Sequence, residues 1–206
     1  EGCALLFFND VFFEGLPSEI KGGNKMKKRI ISMLLAIFMV AGMLPTAVFA
    51  ADVVASGTCG NNLTWVLSED GVLTISGTGA MYVFNEDSNV APWFAERTKI
   101  TSVVIEDGVT SIGAYAFYAC WMESVTIANT VTQIYDGAFR DCTKLAEIVI
   151  PDGVTSIGES AFYRCSSLTS VTIGSQVQKI PLNTFKGAGL TSITIPAHVS
   201  EIERDA

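Results

Sequence analysis

The sequence predicts a solenoid, a right-handed β/α superhelix in which each coil contributes one short parallel strand and one short helical or 3₁₀ turn. The first observation is an internal repeat, because similar units begin at Val109, Val131, Val154 and Val177, and Val199 opens a fifth. The second is their spacing, with steps of 22, 23, 23 and 22 residues. The third is that each unit carries apolar residues at the same positions. A single unit of this length cannot bury them, whereas stacked units build one continuous core.

The strands are predicted from a short segment of alternating polarity that recurs in every coil. The segments are SVVI, SVTI, EIVI, SVTI and SITI, centred on Val103, Val125, Ile148, Val171 and Ile193. β-branched residues in alternation are typical of strands. We therefore expect one parallel strand per coil.

A second segment, A-F-x-x-C, follows small and polar residues in each coil. In the third repeat it runs from Ala161 to Cys165, whose four-residue separation is the spacing of one helical turn. The sequence therefore predicts a short helix or 3₁₀ turn opposite the strands. Stacking would place its aromatic residues in one ladder and its thiols in another, comprising Phe117, Phe139, Phe162 and Phe185, and Cys120, Cys142 and Cys165.

The cysteine ladder is predicted to be packing rather than chemistry. Ligands one coil apart lie on a line, whereas zinc needs four ligands that converge, and no C-x-x-C motif or nearby histidine supplies the others. A disulfide between neighbouring coils is close enough, but parallel Cβ vectors suit it poorly and three thiols leave one over. Ala188 at the equivalent position of the fourth repeat indicates that a small apolar residue suffices. Cys59, outside the repeats, has no obvious partner.

The stretch before the repeats, residues 51–99, is predicted to cap the first coil. Leu63 to Leu67 and Val72 to Ser76 read as two strands joined by a turn at Ser68 to Gly71, which is a β-hairpin. A solenoid needs such a cap because an uncovered first coil would expose apolar side chains and a strand edge.

The front of the chain is predicted to be a targeting segment. Residues 26–50 combine the basic Lys27-Lys28-Arg29, the apolar run Ile30 to Met43 and the small-residue site Val48-Phe49-Ala50, which together are typical of a secretory signal peptide. The apolar run is too short for a membrane span. Because a signal peptide belongs at the N-terminus, we interpret residues 1–25 as a non-native upstream extension. The folded part is therefore expected to be exported, without a stable membrane span after cleavage.

The repeats resemble the BspA-type leucine-rich repeats of bacterial surface proteins. The resemblance covers Ile100 to Ala206 through the tandem motif V-T-x-I-x-x-x-A-F-x-x-C-x-x-L-x-x-V-x-I-P. It implies a leucine-rich-repeat solenoid, a secreted or cell-surface location and adhesion to other proteins. Two repeats depart from the motif and should pack less regularly: the first places Met122 at the Leu position, and the fourth has Ala188 for Cys and Pro181-Leu182 after Ile180. VSEIERDA stops where the motif calls for Phe, so we expect the chain to be truncated within its last repeat.

Charge and motif content argue against several functions. The formal charge of −8 and pI near 4.6 disfavour nucleic acid and anionic membranes as partners. The single histidine, His198, falls in a turn, as do Asp136, Asp141, Asp152 and Glu159. No catalytic, nucleotide-binding or metal-binding motif is found. We expect neither an enzyme nor a cofactor.

Function is therefore sought on the strands, at the residues that point away from the core. These residues are Ser102, Val104, Ser124, Thr126, Glu147, Val149, Ser170, Thr172, Ser192 and Thr194. Their small side chains form a shallow sheet on which an extracellular protein or glycan could lie, the mode in which solenoids bind partners, although Ser and Thr also simply suit exposed strands. The alternative is a spacer or targeting module for an enzymatic or wall-anchoring domain encoded beyond Ala206. Thiol or metal chemistry at the cysteine ladder is a third possibility, which predicts that alanine substitutions would abolish function.

Overall fold

The computed structural model describes residues 52–206, so the predicted upstream extension and signal peptide lie outside the described residues. No helix within 52–206 is long and apolar enough to cross a membrane. This part contains a 3₁₀ helix at Phe94–Glu96 and the following strands: β1 (Val53–Gly60), β2 (Leu63–Ser68), β3 (Val72–Gly77), β4 (Gly79–Ala80), β5 (Ser102–Ile105), β6 (Val109–Ile112), β7 (Ser124–Ile127), β8 (Gln133–Ile134), β9 (Glu147–Val149), β10 (Ser156–Ile157), β11 (Ser170–Thr172), β12 (Lys179–Ile180) and β13 (Glu201–Ile202).

The predicted hairpin is present and is part of a larger sheet. Strands β2 and β3 pair antiparallel, and the Gly71 N–H donates to the Ser68 carbonyl at 3.0 Å in the turn between them. β1, which the sequence analysis did not identify, pairs antiparallel with β2. β3 then pairs parallel with β5, with Val72 opposite Ser102 and Ile75 opposite Ile105. The cap therefore continues the strand ladder of the coils.

Each regular coil contributes two strands, so the expectation of one strand per coil is wrong. The first sheet has the order β1-β2-β3-β5-β7, and the pair β9–β11 follows it in the next two coils. The second sheet has the order β4-β6-β8-β10, followed by the pair β12–β13. Apart from β4, its strands come from the V-T-x-I segments or their equivalents VQKI and VSEI. The backbones of these segments pair between coils; the Thr132 N–H donates to the Thr110 carbonyl at 2.9 Å. The core lies between the two sheets and the A-F-x-x-C segments.

The A-F-x-x-C segments, for which a short helix or 3₁₀ turn was expected, are hydrogen-bonded turns and form no helix. In the first coil the amides of Ala116, Tyr118 and Cys120 donate to carbonyls three residues earlier, at 3.1–3.2 Å. The alternate amides, such as that of Phe117, donate instead to the following coil. Tyr115 and Ala119 have φ of 51° and 54°, and a left-handed residue at every fourth position interrupts a right-handed helix. The same pattern recurs in the next two coils.

The aromatic ladder forms the centre of the core. Phe117, Phe139, Phe162 and Phe185 stack with ring centroids 5.2–5.4 Å apart. Trp93 is fully buried and stacks on Phe117 at 5.5 Å, so the ladder begins before the first complete repeat. Its indole N–H donates to the Ala116 carbonyl at 2.8 Å, which leaves the buried nitrogen satisfied.

Irregularities fall beside the first and fourth repeats. The first-sheet ladder is interrupted between β7 and β9, where the Ala146 N–H reaches the Glu123 carbonyl at 3.3 Å. In the fourth repeat the segment SITI, predicted to be a strand, is not one. Leu190 follows Phe185 by five residues, whereas Leu168 follows Phe162 by six, so this part of the fourth repeat is one residue shorter than in the third.

Candidate binding surface

Most of the predicted outward-facing residues are exposed on one surface. Strands β7, β9 and β11 alternate so that Ser124, Thr126, Glu147, Val149, Ser170 and Thr172 face solvent. On β5, Ser102 and Val104 are half-buried. Ser192 and Thr194 are exposed but belong to no strand, which is a correction to their predicted position. We call the outward side of β2, β3, β5, β7, β9 and β11 the strand face.

The strand face extends beyond the repeats onto the hairpin. Val66 is opposite Thr74, Thr74 is opposite Val104, and Val104 is opposite Thr126, so a row of β-branched side chains crosses four strands. On β9 and β11, Val149 is opposite Thr172, which is the same valine–threonine pairing as Val104 with Thr126. A single sequence gave no signal for this, because the parallel pairing of β3 with β5 joins segments that are not repeats of each other.

The chemistry of the strand face is that of a neutral contact surface. Among the ten residues predicted to face outward, Glu147 alone is charged. Val149 is 58% exposed, more than any other large apolar side chain on the described residues. Small neutral side chains on paired strands are held in place by the backbone, so such a surface can bind by fit of shape rather than by charge.

An exposed tryptophan precedes the strand face, and the sequence analysis missed it. Trp121 is 46% exposed immediately before Met122, which is buried. The Lys144 Nζ of the following coil lies 4.6 Å from the centre of its ring, within the range of a cation–π contact. The signal in the sequence was its position, since other repeats carry small or polar residues between the ladder cysteine and the next core residue.

The thiols are buried and held in the protonated form. Cys59, Cys120, Cys142 and Cys165 are all free. Burial raises the pKa of Cys59, Cys120 and Cys165 to about 12 and raises that of Cys142 well above its ordinary value. The Cys142 Sγ donates to the Phe117 carbonyl at 3.0 Å, and the Cys165 Sγ donates to the Phe139 carbonyl at 3.2 Å. A nucleophilic cysteine needs a stabilised thiolate, and burial here does the opposite.

The polar residues considered for chemistry are dispersed. His198 lies in a turn with its Nε2 3.1 Å from the Gly174 carbonyl oxygen. Asp136 and Asp152 accept hydrogen bonds from the Glu159 and Ser175 amides, at 2.9 and 2.7 Å. Within residues 52–206 no three potential metal-ligating side chains converge. These carboxylates connect neighbouring coils.

Stacked repeats whose strands lie on one side define this chain as a solenoid repeat protein. The family model of the BspA type leucine rich repeat region matches six copies within residues 91–206. The matched residues make up more than half of the chain. The chain therefore belongs to the BspA-type leucine-rich-repeat family. The match begins at the APWF segment that contains Trp93, ahead of the boundary expected at Ile100. No curated protein matches the chain.

Solved structures of bacterial repeat proteins are similar to this chain. A leucine-rich repeat protein from Eubacterium ventriosum is 28% identical over 72% of this chain and 62% of its own, with a TM-score of 0.43. A leucine rich cell surface protein from Faecalibacterium prausnitzii is 28% identical, and the match covers 74% of this chain and 52% of that protein, with a TM-score of 0.43. The pneumococcal vaccine antigen PcpA is 17% identical, and the match covers 74% of this chain and 46% of that protein, with a TM-score of 0.48. The chain thus spans roughly half to three fifths of the length of these proteins.

Proposed function

We propose that this chain is an exported, non-enzymatic binding module whose strand face holds an extracellular protein or a glycan at the bacterial cell surface or outside the cell. The observation that carries the proposal is the row of β-branched side chains that crosses from the hairpin into the coils. Solenoids bind partners through extended surfaces of this kind. The signal-peptide pattern of residues 26–50 and the family's resemblance to surface proteins support the location.

Contact through the strand face would rest on a few apolar side chains within a polar surround. Val149 and Trp121 are the large exposed apolar residues at or beside it. Exposed aromatic residues contribute much of the binding energy in many interfaces, and the small polar residues around them exclude water. The absence of strong charge on the face fits a neutral partner, and the acidic chain as a whole favours a neutral or basic one.

The test is a binding screen of the full chain against extracellular-matrix proteins and cell-surface glycans. For each partner found, Thr126→Arg should weaken binding by about tenfold or more, because a long charged side chain would separate the two surfaces. Trp121→Ala should also weaken it, which would show that the aromatic residue takes part.

The matched control is Gln176→Arg, which adds the same charge at an exposed turn between the two sheets. It should leave binding unchanged. Partners that bind both arginine variants as tightly as the unmodified chain would exclude the strand face. A screen without any partner would favour the alternative of a spacer or targeting module.

A further inference from the structure

The outer surface of the second sheet contains a groove that the strand face does not explain. It has a volume of about 300 Å³, at the lower end of the usual range for small-ligand pockets. It lies over β10, between β8 on one side and β12 on the other. The two sides are two coils apart, roughly 10 Å at the usual spacing of neighbouring strands.

One wall is an aromatic side chain held in a fixed position. Tyr135 is 40% exposed, and its hydroxyl donates to the Gln133 Oε1 at 2.9 Å. The hydrogen bond ties together two side chains of the same coil. Because this hydrogen bond restrains the ring, less conformational freedom is lost when a ligand contacts it.

The opposite wall is an ion pair. The Lys179 Nζ lies 2.6 Å from the Glu203 Oε1 and 3.2 Å from the Glu201 Oε1. These contacts raise the pKa of Lys179, and the same hydrogen bond lowers the pKa of Glu203. Glu203 also accepts the Leu182 amide at 2.8 Å, which fixes its carboxylate.

The floor is kept low by two small residues of the middle coil. Ser156 is exposed on β10, and Gly158 follows that strand. A Cβ at Gly158 would lie 2.3 Å from the Asp136 nitrogen and 2.4 Å from its Oδ1, so the close approach of the previous coil excludes any larger residue there. A depression thus remains between the taller side chains of the flanking coils.

The groups around this depression include both donors and acceptors. The Gln133 amide and the Ser156 hydroxyl can do either, Lys179 only donates, and the carboxylate of Asp136 only accepts. Sugar hydroxyls need this mixture, and the faces of sugar rings are apolar enough to lie on an aromatic ring. The exposed carboxylate of Glu159 would repel an anionic sugar, whereas the charge of Glu203 is paired with Lys179.

We propose that this groove binds a short neutral glycan, with Tyr135 as the stacking surface and Gln133, Ser156 and Asp136 as hydrogen-bonding partners of its hydroxyl groups. The site is separate from the strand face, and the proposal does not rest on the function proposed for that face.

The experiment titrates the full chain with cellobiose, maltose and N,N′-diacetylchitobiose at millimolar concentration and detects binding by saturation-transfer NMR. At least one of the three should bind saturably. Tyr135→Ala should weaken that binding by about tenfold, because the ring contact is lost. Ser156→Leu should weaken it as well by filling the floor, whereas Tyr135→Phe should retain most of it.

Tyr82→Ala is the matched control, since Tyr82 is a comparably exposed tyrosine outside the groove. It should leave binding unchanged, and urea unfolding of every variant verifies that the fold is kept. The proposal is wrong if none of the three sugars binds, or if a bound sugar tolerates both Tyr135→Ala and Ser156→Leu. Binding of tetralysine at the groove without binding of any sugar would also overturn it, in favour of a basic peptide.

Discussion

Phe139 illustrates how one residue in a stacked fold depends on its two neighbours. Its ring has Phe117 on one side at 5.2 Å and Phe162 on the other at 5.3 Å, and its side chain is fully buried. Phe185 has a stacked phenylalanine on one side and is 9% exposed. A phenylalanine of the ladder therefore contributes a different amount to the free energy of unfolding in different coils.

We expect Phe139→Ala to lower the free energy of unfolding by about 3–5 kcal/mol, because it leaves a cavity that both flanking rings border. Phe185→Ala, the matched substitution with fewer contacts, should cost clearly less. Urea denaturation of both variants measures the difference. Equal losses would mean that ladder contacts are not what distinguishes the two positions.

The buried thiols give a prediction for alkaline pH. The folded-state pKa of Cys59, Cys120 and Cys165 is raised by burial to about 12, whereas an unfolded thiol titrates near about 8.5. Above the unfolded pKa the unfolded chain loses protons that the folded chain keeps, so the free energy of unfolding falls as pH rises towards the folded pKa. Below about pH 8 the thiols should have no effect on its pH dependence.

The measurement is urea unfolding between pH 8 and pH 11, with Cys120→Ala, Cys142→Ala and Cys165→Ala combined as the control. The triple variant should show a shallower fall in stability over this interval. Alkylation provides a second readout, because the four described thiols should react slowly in the folded chain and rapidly in urea. Fast alkylation of the folded protein would contradict their assignment as packing groups.

At the scale of the element, the turns show what a spacing can and cannot predict. Two residues four positions apart lie on the same face of a helix. The same spacing also arises without a helix, when each of the two residues follows a residue in the left-handed conformation, as Ala116 and Cys120 follow Tyr115 and Ala119. Tyr115, Ala119, Ser160 and Arg164 adopt this conformation although none is glycine. Non-glycine residues rarely do so. The first and third repeats carry no local mark of it, although Gly137 and Asp141 of the second repeat, at the same positions, are residue types that favour a positive φ. The backbone hydrogen bonds to the next coil offset the conformational cost of these left-handed residues, and those bonds are visible only in the stacked structure.

The strands divide in the same way between predictable and unpredictable features. β2, β3 and the strands from β5 to β11 on the first sheet followed from alternation, since one face of each is buried. The second sheet was missed because its strands from β8 onward are two residues long, too short for any periodicity. The groove at Ser156 and Gly158 was missed for a related reason, because it depends on which side chains of four different coils lie next to each other.

Close approach between coils also predicts a position where a small change is costly. A Cβ at Gly153 would lie 2.0 Å from the Asn129 carbonyl oxygen of the previous coil. Gly153→Ala should therefore destabilise the protein by about 1–3 kcal/mol through overpacking. Urea unfolding measures the effect.

Gln176→Ala is the matched control, because Gln176 holds the equivalent position of the next coil with an exposed side chain. It should change the free energy of unfolding by no more than about 0.5 kcal/mol. An equally small effect of Gly153→Ala would show that neighbouring coils can separate slightly at little cost.

At the scale of the whole described region, the cap and the fourth repeat differ in packing. The N-terminal end carries the hairpin and the buried cluster of Trp65, Phe84 and Trp93 against the first coil. In the fourth repeat, Ile193 and Ile195 belong to no strand, and neither side chain is fully buried. Local stability follows such differences in burial and hydrogen bonding.

Hydrogen exchange should therefore be graded along the solenoid. The amides of Phe139 and Phe162, which donate to the following coil at 2.8 and 2.9 Å, should exchange slowly. Those of Ile193 and Ile195 should exchange faster by at least about two orders of magnitude. Exchange resolved by residue with NMR tests this, and uniform protection from the hairpin to residue 206 would contradict it.

The turn hydrogen bonds have one further consequence. In the turns, alternate backbone amides donate hydrogen bonds to carbonyl oxygens of the following coil. The pairs from the first coil to the second are Tyr115–Asp136, Phe117–Ala138 and Ala119–Arg140, and those from the second to the third are Gly137–Glu159, Phe139–Ala161 and Asp141–Tyr163. Each turn thus presents donors to its successor and acceptors to its predecessor. A coil copied by an in-frame gene duplication would meet the same partners on both sides as its parent, so the length of this protein can change by whole coils during evolution without any new interface having to be invented.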